Sequence, residues 1–202
     1  MILMSAQKKT GLFFGSFNPI HVGHLIIAGH LISDAQIEEL WMVVSPQNPL
    51  KDKKSLANDY DRLRMVEMAI GENIAIKASN IEFALPKPSY TIDTLTYLRE
   101  KYPHKTFVLV MGGDNIHSIN KWKNWESLIS DYEIIVYNRP GNAPELPDFV
   151  AGTHNIRFVD APLLDISSSY IRQRIADKKE FRYMVTDAVY NYITDNHLYK
   201  QK

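Results

Sequence analysis

Short apolar runs alternate along this chain with stretches whose apolar positions recur every third or fourth residue, and Gly, Pro, Asn and Asp mark most of the joints. The apolar runs predict strands over residues 10–17, 39–44, 106–111, 132–137 and 156–159, with one or two more over 74–83. The helical spacing predicts helices over 22–35, 59–70, 91–101, 122–129, 168–176 and 187–196. Such alternation implies an α/β fold: a doubly wound, mostly parallel sheet with helices on both faces and ligands outside the carboxyl ends of the strands. Two loops interrupt the pattern, 45–57 with Pro46, Pro49, Lys51, Lys53 and Lys54, and 139–148, which is rich in Gly and Pro. There is no internal repeat and no low-complexity tract.

Composition narrows the picture. A chain of 202 residues with 45% hydrophobic content suits one domain over 1–202, its closing helices at 165–202. Lys+Arg 23 against Asp+Glu 23 makes the chain formally neutral, which disfavours a nucleic-acid polymer or an anionic membrane as partner and suits small anionic substrates in a local basic pocket. Without cysteine there is neither a disulfide framework nor a thiolate nucleophile or metal ligand. The apolar run from Met1 to Met4 is too short for a signal peptide and no later run is long enough to span a bilayer, so the cytoplasm is the expected location. The sequence has no GxxxxGK[ST], GxGxxG or HExxH, which removes P-loop kinases, dinucleotide-binding dehydrogenases and zinc hydrolases of those types.

The candidate chemistry starts where the first strand breaks, at Gly15-Ser16-Phe17-Asn18-Pro19-Ile20-His21-Val22-Gly23-His24. Asn18-Pro19 forces a turn and a helix follows, so His21 and His24, three apart, share one helical face. Gly15 and Gly23 would let backbone approach a ligand, and the helix start offers N–H groups to an anion. Together these features describe a phosphate-handling turn. Far along the chain, Ile166-Ser167-Ser168-Ser169-Tyr170-Ile171-Arg172 places serines at a helix start with Arg172 one turn on, so that guanidinium and hydroxyls face one oxyanion while Ile171 and Ile175 pack inward.

The first segment resembles the HxGH nucleotidyltransferases, and the second resembles that superfamily's ISSTxxR motif, in the expected order. Pro88-Ser89-Tyr90-Thr91-Ile92-Asp93-Thr94, Gly112-Gly113-Asp114, Lys121-Trp122-Lys123-Asn124-Trp125 and the tail from Val185 to Tyr199 are similar to segments of nicotinate or nicotinamide mononucleotide adenylyltransferases, so the resemblance covers nearly the whole chain. It implies a Rossmann-like fold and transfer of the adenylyl group of ATP to nicotinate mononucleotide, releasing pyrophosphate, with Mg²⁺ carried on the triphosphate. His21, His24 and Arg172 are the implied catalytic residues. Gly15, Ser16, Phe17, Gly112, Asp114, Ile166, Ser167, Ser168 and Ser169 are assigned to ATP, and Asn18, Lys51, Tyr90, Thr91, Trp122 and Arg139 to the mononucleotide. No dedicated protein metal site is expected. The Gly15-Ser16-Phe17-Asn18-Pro19 form also resembles nicotinamide-nucleotide enzymes, so acid and amide substrates both stay open, as do phosphopantetheine, a non-catalytic nucleotide sensor and a homo-oligomer.

Overall fold

The computed structural model describes residues 9–46, 56–138, 146–150, 152–162 and 164–200. Its centre is a six-stranded sheet of β1 (Lys9–Gly15), β2 (Glu39–Val44), β3 (Ile76–Ser79), β4 (Thr106–Gly112), β5 (Glu133–Asn138) and β6 (Ile156–Asp160), in the order β3-β2-β1-β4-β5-β6. Every adjacent pair is parallel; Leu12, for example, stands opposite Trp41 on one side and Leu109 on the other. The helices are α1 (Val22–Asp34), α2 (Asp59–Ile70), α3 (Thr91–Lys101), α4 (Gly113–Ile116), α5 (Trp125–Asp131), α6 (Ser168–Ala176) and α7 (Asp187–Asp195).

Side-chain alternation along the strands divides the core into two layers. Phe13, Met42, Val108, Val110 and Ile135 pack with Ile27 and Leu31 of α1, Met65 and Val66 of α2, Ile171 and Ile175 of α6, and Val189 and Ile193 of α7. Their chain neighbours Leu12, Val43, Leu109, Ile134 and Val136 pack with Leu95 and Leu98 of α3 and Leu128 of α5. Helices on both faces bury both sides of the sheet, which is why the strands read as continuous apolar runs. The chain order reverses between β1 and β4, so the loops leaving their carboxyl ends diverge and open a crevice there.

Helices α2, α3 and α6 have the bounds that the spacing predicts, and three of the predicted elements differ by more than one residue at an end, for local reasons. β1 stops at Gly15 because Phe17 turns to a positive φ of 42°. The strand expected over 74–83 shrinks to β3: the Asn73 side chain accepts from the N–H groups of Ala75 and Ile76 ahead of it, and after it Ile81–Ala84 coils into a 3₁₀ turn. The helix expected from 122 begins only at Trp125, because Asn124 adopts the left-handed conformation at φ 49°. Among the described residues, no helix is long and apolar enough to cross a membrane.

Candidate active site

The β1 exit carries the first histidine turn to the crevice. Phe17 folds back beneath it, 1% exposed, with its ring edge-on to Phe13 and His24. A Cβ on Gly15 would stand 2.7 Å from the Phe17 ring, and one on Gly23 would crowd Ile166 and the His21 ring at 3.0 and 3.1 Å. These glycines therefore make room for the protein's own side chains.

His21 occupies the N-cap position of α1, and its carbonyl accepts from the His24 N–H at 3.0 Å. The His21 N–H donates to Nδ1 of His24 at 3.3 Å. That bond requires a lone pair on Nδ1, so a neutral His24 carries its proton on Nε2 and can donate from there. The two imidazoles stack with centroids 3.8 Å apart. Burial lowers the His21 pKa to about 4, which keeps its ring neutral at physiological pH. Its Nδ1 is buried with no hydrogen-bond partner among the described residues.

The second motif docks directly on this turn. Ser167 caps α6 by accepting from the Tyr170 N–H at 3.1 Å. Ser168 Oγ donates to the Pro19 carbonyl at 2.8 Å, and Arg172 Nη1 donates to the Asn18 carbonyl at 2.8 Å. Arg172 Nη2 also donates to Ser169 Oγ at 3.2 Å. A serine caps the helix, as expected, and it is Ser167; of the two hydroxyls expected beside Arg172, Ser168 instead ties the two motifs together, which leaves Ser169 as the one paired with the guanidinium. Ile166 packs against the core below, and Ile171 and Ile175 are buried as the spacing implies.

Other expected residues fall around this centre. Gly112 ends β4 at the crevice and is the N-cap of α4, Gly113 opens that helix, and Asp114 is exposed on its first turn. Tyr90 is the N-cap of α3 and Thr91 its first helical residue. Lys123 reaches the Asp93 carboxylate at 2.8 Å and lies over the Tyr90 ring, bringing the Trp122 segment to the α3 start. Trp122 is half-buried against the core layer on that face. Asn18 is 2% exposed, and its Oδ1 accepts from the Ala57 N–H at 3.0 Å and the Tyr199 hydroxyl at 2.9 Å, so this oxygen binds loop and tail together. Lys51 and Arg139 lie outside the described residues.

Two buried charged residues escaped the sequence reading. Arg62 is fully buried and directs all five of its N–H groups to acceptors: the carbonyls of Ser16, Ser45, Pro46 and Ala57 and the carboxylate of Asp59. It therefore holds the β1 exit, the β2 exit and the start of α2 in one arrangement. Its signal was its phase, since it lies three and four residues before the buried Met65 and Val66 on the apolar face of α2. Glu82, 2% exposed, accepts from the Ser89 and Thr94 hydroxyls at 2.9 Å each.

A sequence model described as cytidylyltransferase-like matches residues 12–174. A protein of Cytophaga hutchinsonii named "Probable nicotinate-nucleotide adenylyltransferase" is 48% identical, over 95% of this chain and 98% of its own. One of the same name from Flavobacterium johnsoniae is 45% identical, over 96% and 100%. Among solved structures, the Plasmodium falciparum nicotinic acid mononucleotide adenylyltransferase complexed with NaAD superposes with a TM-score of 0.79 at 22% identity, over 95% of this chain and 97% of that one, which establishes the likeness of fold.

Proposed function

The chain belongs to the cytidylyltransferase-like family, and from that premise we propose that it transfers the adenylyl group of ATP to nicotinate mononucleotide, forming nicotinate adenine dinucleotide and pyrophosphate. The names of its relatives support the substrates. The single structural observation that carries the reading is the junction of two distant motifs on one turn: Ser168 and Arg172 bond to the carbonyls of Pro19 and Asn18, just ahead of the stacked histidines at the switch point of the sheet.

The reaction asks little covalent work of the protein. With a second ionisation near about pH 6, the mononucleotide phosphate is already mostly a dianion at neutral pH. One of its oxygens bonds to the α-phosphorus of ATP while the bond from that phosphorus to the α,β-bridging oxygen breaks, and pyrophosphate leaves with the electron pair. No proton must be removed from the nucleophile. What remains is to align two anions and to stabilise charge on the equatorial and departing oxygens. His21, held neutral by burial, and His24 suit the α and β phosphates, and with Nδ1 of His24 accepting, its Nε2 is the nitrogen that carries the proton. Arg172, with Ser169 and the start of α6, suits the β and γ phosphates. Mg²⁺ arrives with ATP as part of the substrate; among the described residues there is no group of three His, Asp or Glu suited to a resident ion.

At the other side of the crevice, the N–H groups at the start of α3 near Tyr90 and Thr91 suit a pyridine carboxylate, and Trp122 suits the ring face. A carboxylate only accepts, whereas a carboxamide would set its own NH₂ against those donors, leaving N–H groups unpaired at about 1 to 3 kcal/mol each. Pyrophosphate release from Mg·ATP with nicotinate mononucleotide, nicotinamide mononucleotide or phosphopantetheine tests the proposal. Nicotinate mononucleotide is expected to have the highest kcat/KM, by about tenfold or more over the amide. A preference for the amide would sink the choice of base, and a preference for phosphopantetheine would sink the choice of acceptor class.

A further inference from the structure

Glu82 is a buried acid whose partners among the described residues are hydroxyls rather than a cation. It sits in the 3₁₀ turn Ile81–Ala84 after β3, with Oε2 accepting from Ser89 and Oε1 from Thr94. Burial raises its pKa, and hydrogen bonds from Ser89, Thr94 and Ser45 oppose that rise. Burying a carboxyl costs free energy, so the arrangement persists only because its oxygens are satisfied.

The two main donors lie on either side of one structural joint. Ser89 immediately precedes Tyr90, the N-cap of α3, and Thr94 belongs to the first turn of that helix. The carboxyl thus spans the helix start and holds both of its flanks. Tyr90 turns its carbonyl inward, accepting from the N–H groups of Asp93 and Thr94 at 3.0 and 3.1 Å, and its side chain makes no capping bond. The earliest N–H groups of α3 accordingly have no side-chain cap. Ser45 extends the arrangement, because its carbonyl is held by Arg62, which also holds the Ser16 carbonyl at the β1 exit. The α3 start is in this way referenced to the histidine turn.

We infer that Glu82 is a positioning residue for selectivity: by bracketing Ser89 and Thr94 it aims the α3 N–H groups at an anionic substituent of the substrate ring. The inference rests on the pyridine-nucleotide reading above. A carboxylate is suited to this task because it presents two acceptors and no donor, which makes both hydroxyls point inward. Glutamine keeps the shape but sets an NH₂ against one of them. Thr94 has a second acceptor in the Tyr90 carbonyl at 3.3 Å, whereas the Ser89 hydroxyl has no second acceptor among the described residues. In Glu82→Gln the amide therefore settles against Thr94, and that side of the bracket opens. Ser89→Ala opens the other side without changing charge.

The experiment is steady-state kinetics of pyrophosphate release for wild type, Glu82→Gln and Ser89→Ala, with nicotinate and nicotinamide mononucleotides in parallel and ATP varied separately. Thermal unfolding confirms that each variant is folded, and Ser89→Ala carries the test if Glu82→Gln does not fold. Each variant is expected to lose about tenfold in kcat/KM for the acid and much less for the amide, so that the acid-to-amide ratio collapses while the KM for ATP moves less than about twofold. A merely structural residue would lower both substrates by one factor, and that result would overturn the inference alone. Wild-type protein that adenylylates neither mononucleotide, or both equally, would overturn the reading of the site and this inference with it.

Discussion

The two ends of the same sheet both carry charge, but they use it in opposite ways. At the amino ends of the strands, Lys9 pairs with Glu133 at 2.6 Å, Glu133 with Arg157 at 3.4 Å, and Glu39 with Lys105 at 2.5 Å and with Lys77. Glu133–Arg157 and Glu39–Lys77 join neighbouring strands, Lys9–Glu133 and Lys105–Glu39 reach across an intervening strand, each carboxylate is shared by two cations, and all are partly open to solvent. At the carboxyl ends, Arg62 and Glu82 are withdrawn from water and bond mainly to carbonyls and hydroxyls. His21 is buried as a neutral ring, and Arg172 spans two segments distant in sequence. Solvated ion pairs contribute little because water competes for both partners. A buried guanidinium with five acceptors cannot be replaced by water, so it dictates where the loops lie. The amino end closes the sheet, whereas the carboxyl end arranges donors around a crevice.

That contrast can be broken most decisively at Arg62. Arg62→Ala leaves four carbonyls and a carboxylate without their donor, and it is expected to cost about 3 to 5 kcal/mol in denaturant unfolding. Lys77→Ala at the other end should cost no more than about 1 kcal/mol. Comparable losses at the two sites would erase the distinction.

The next largest effect is catalytic. His24→Ala removes the Nε2–H donor and is expected to lower kcat at saturating substrates by about two orders of magnitude or more in a protein that still folds. Turnover at the wild-type rate would remove His24 from the chemistry.

Acid titration sharpens the comparison through the windows in which each end loses stability. The folded-state pKa of His21 lies below its usual 6.5, at about 4, because of burial. The unfolded chain takes up that proton first, so the contribution is intact above pH 6.5 and disappears as pH falls to about 4, a loss of at most about 3 kcal/mol. Burial pushes the Glu39 carboxyl up, but hydrogen bonds and charge from Lys105 and Lys77 outweigh it and bring the pKa to about 2. Its contribution is present above pH 4.5 and fades between 4.5 and about 2, and solvent screening holds it to about 1 kcal/mol. In unfolding measured against pH, His21→Gln should flatten the upper window and Glu39→Gln the lower. A variant that alters the other window would show that the two ends are coupled.

Most helix boundaries, though not the start of α5, were legible because their causes are short-range. Asn58 caps α2 by accepting from the Tyr60 N–H, Ser167 caps α6, and Gly71 ends α2 with a positive φ of 59°, all within a few residues of chain. The apolar alternation that calls for a parallel sheet is equally local, and so are the two motifs and the pairing of His21 with His24 on one turn of helix. The roles of Gly15 and Gly23 were not legible, since the space each glycine leaves is filled by Phe17, His21 and Ile166 through the folding of the turn.

From its own pattern, then, the sequence determined the α/β class, the placement of most elements and the local geometry of the two motifs, because periodicity, caps and turns act over distances spanned by a few bonds. Tertiary structure alone decided the strand order with its reversal between β1 and β4, the docking of Ser168 and Arg172 on the Asn18-Pro19 carbonyls, and the burial of Arg62 and Glu82. Those features depend on which surfaces lose water when remote segments pack. Desolvation is what turns an ordinary arginine, glutamate or histidine into a group that must find its partners inside the protein.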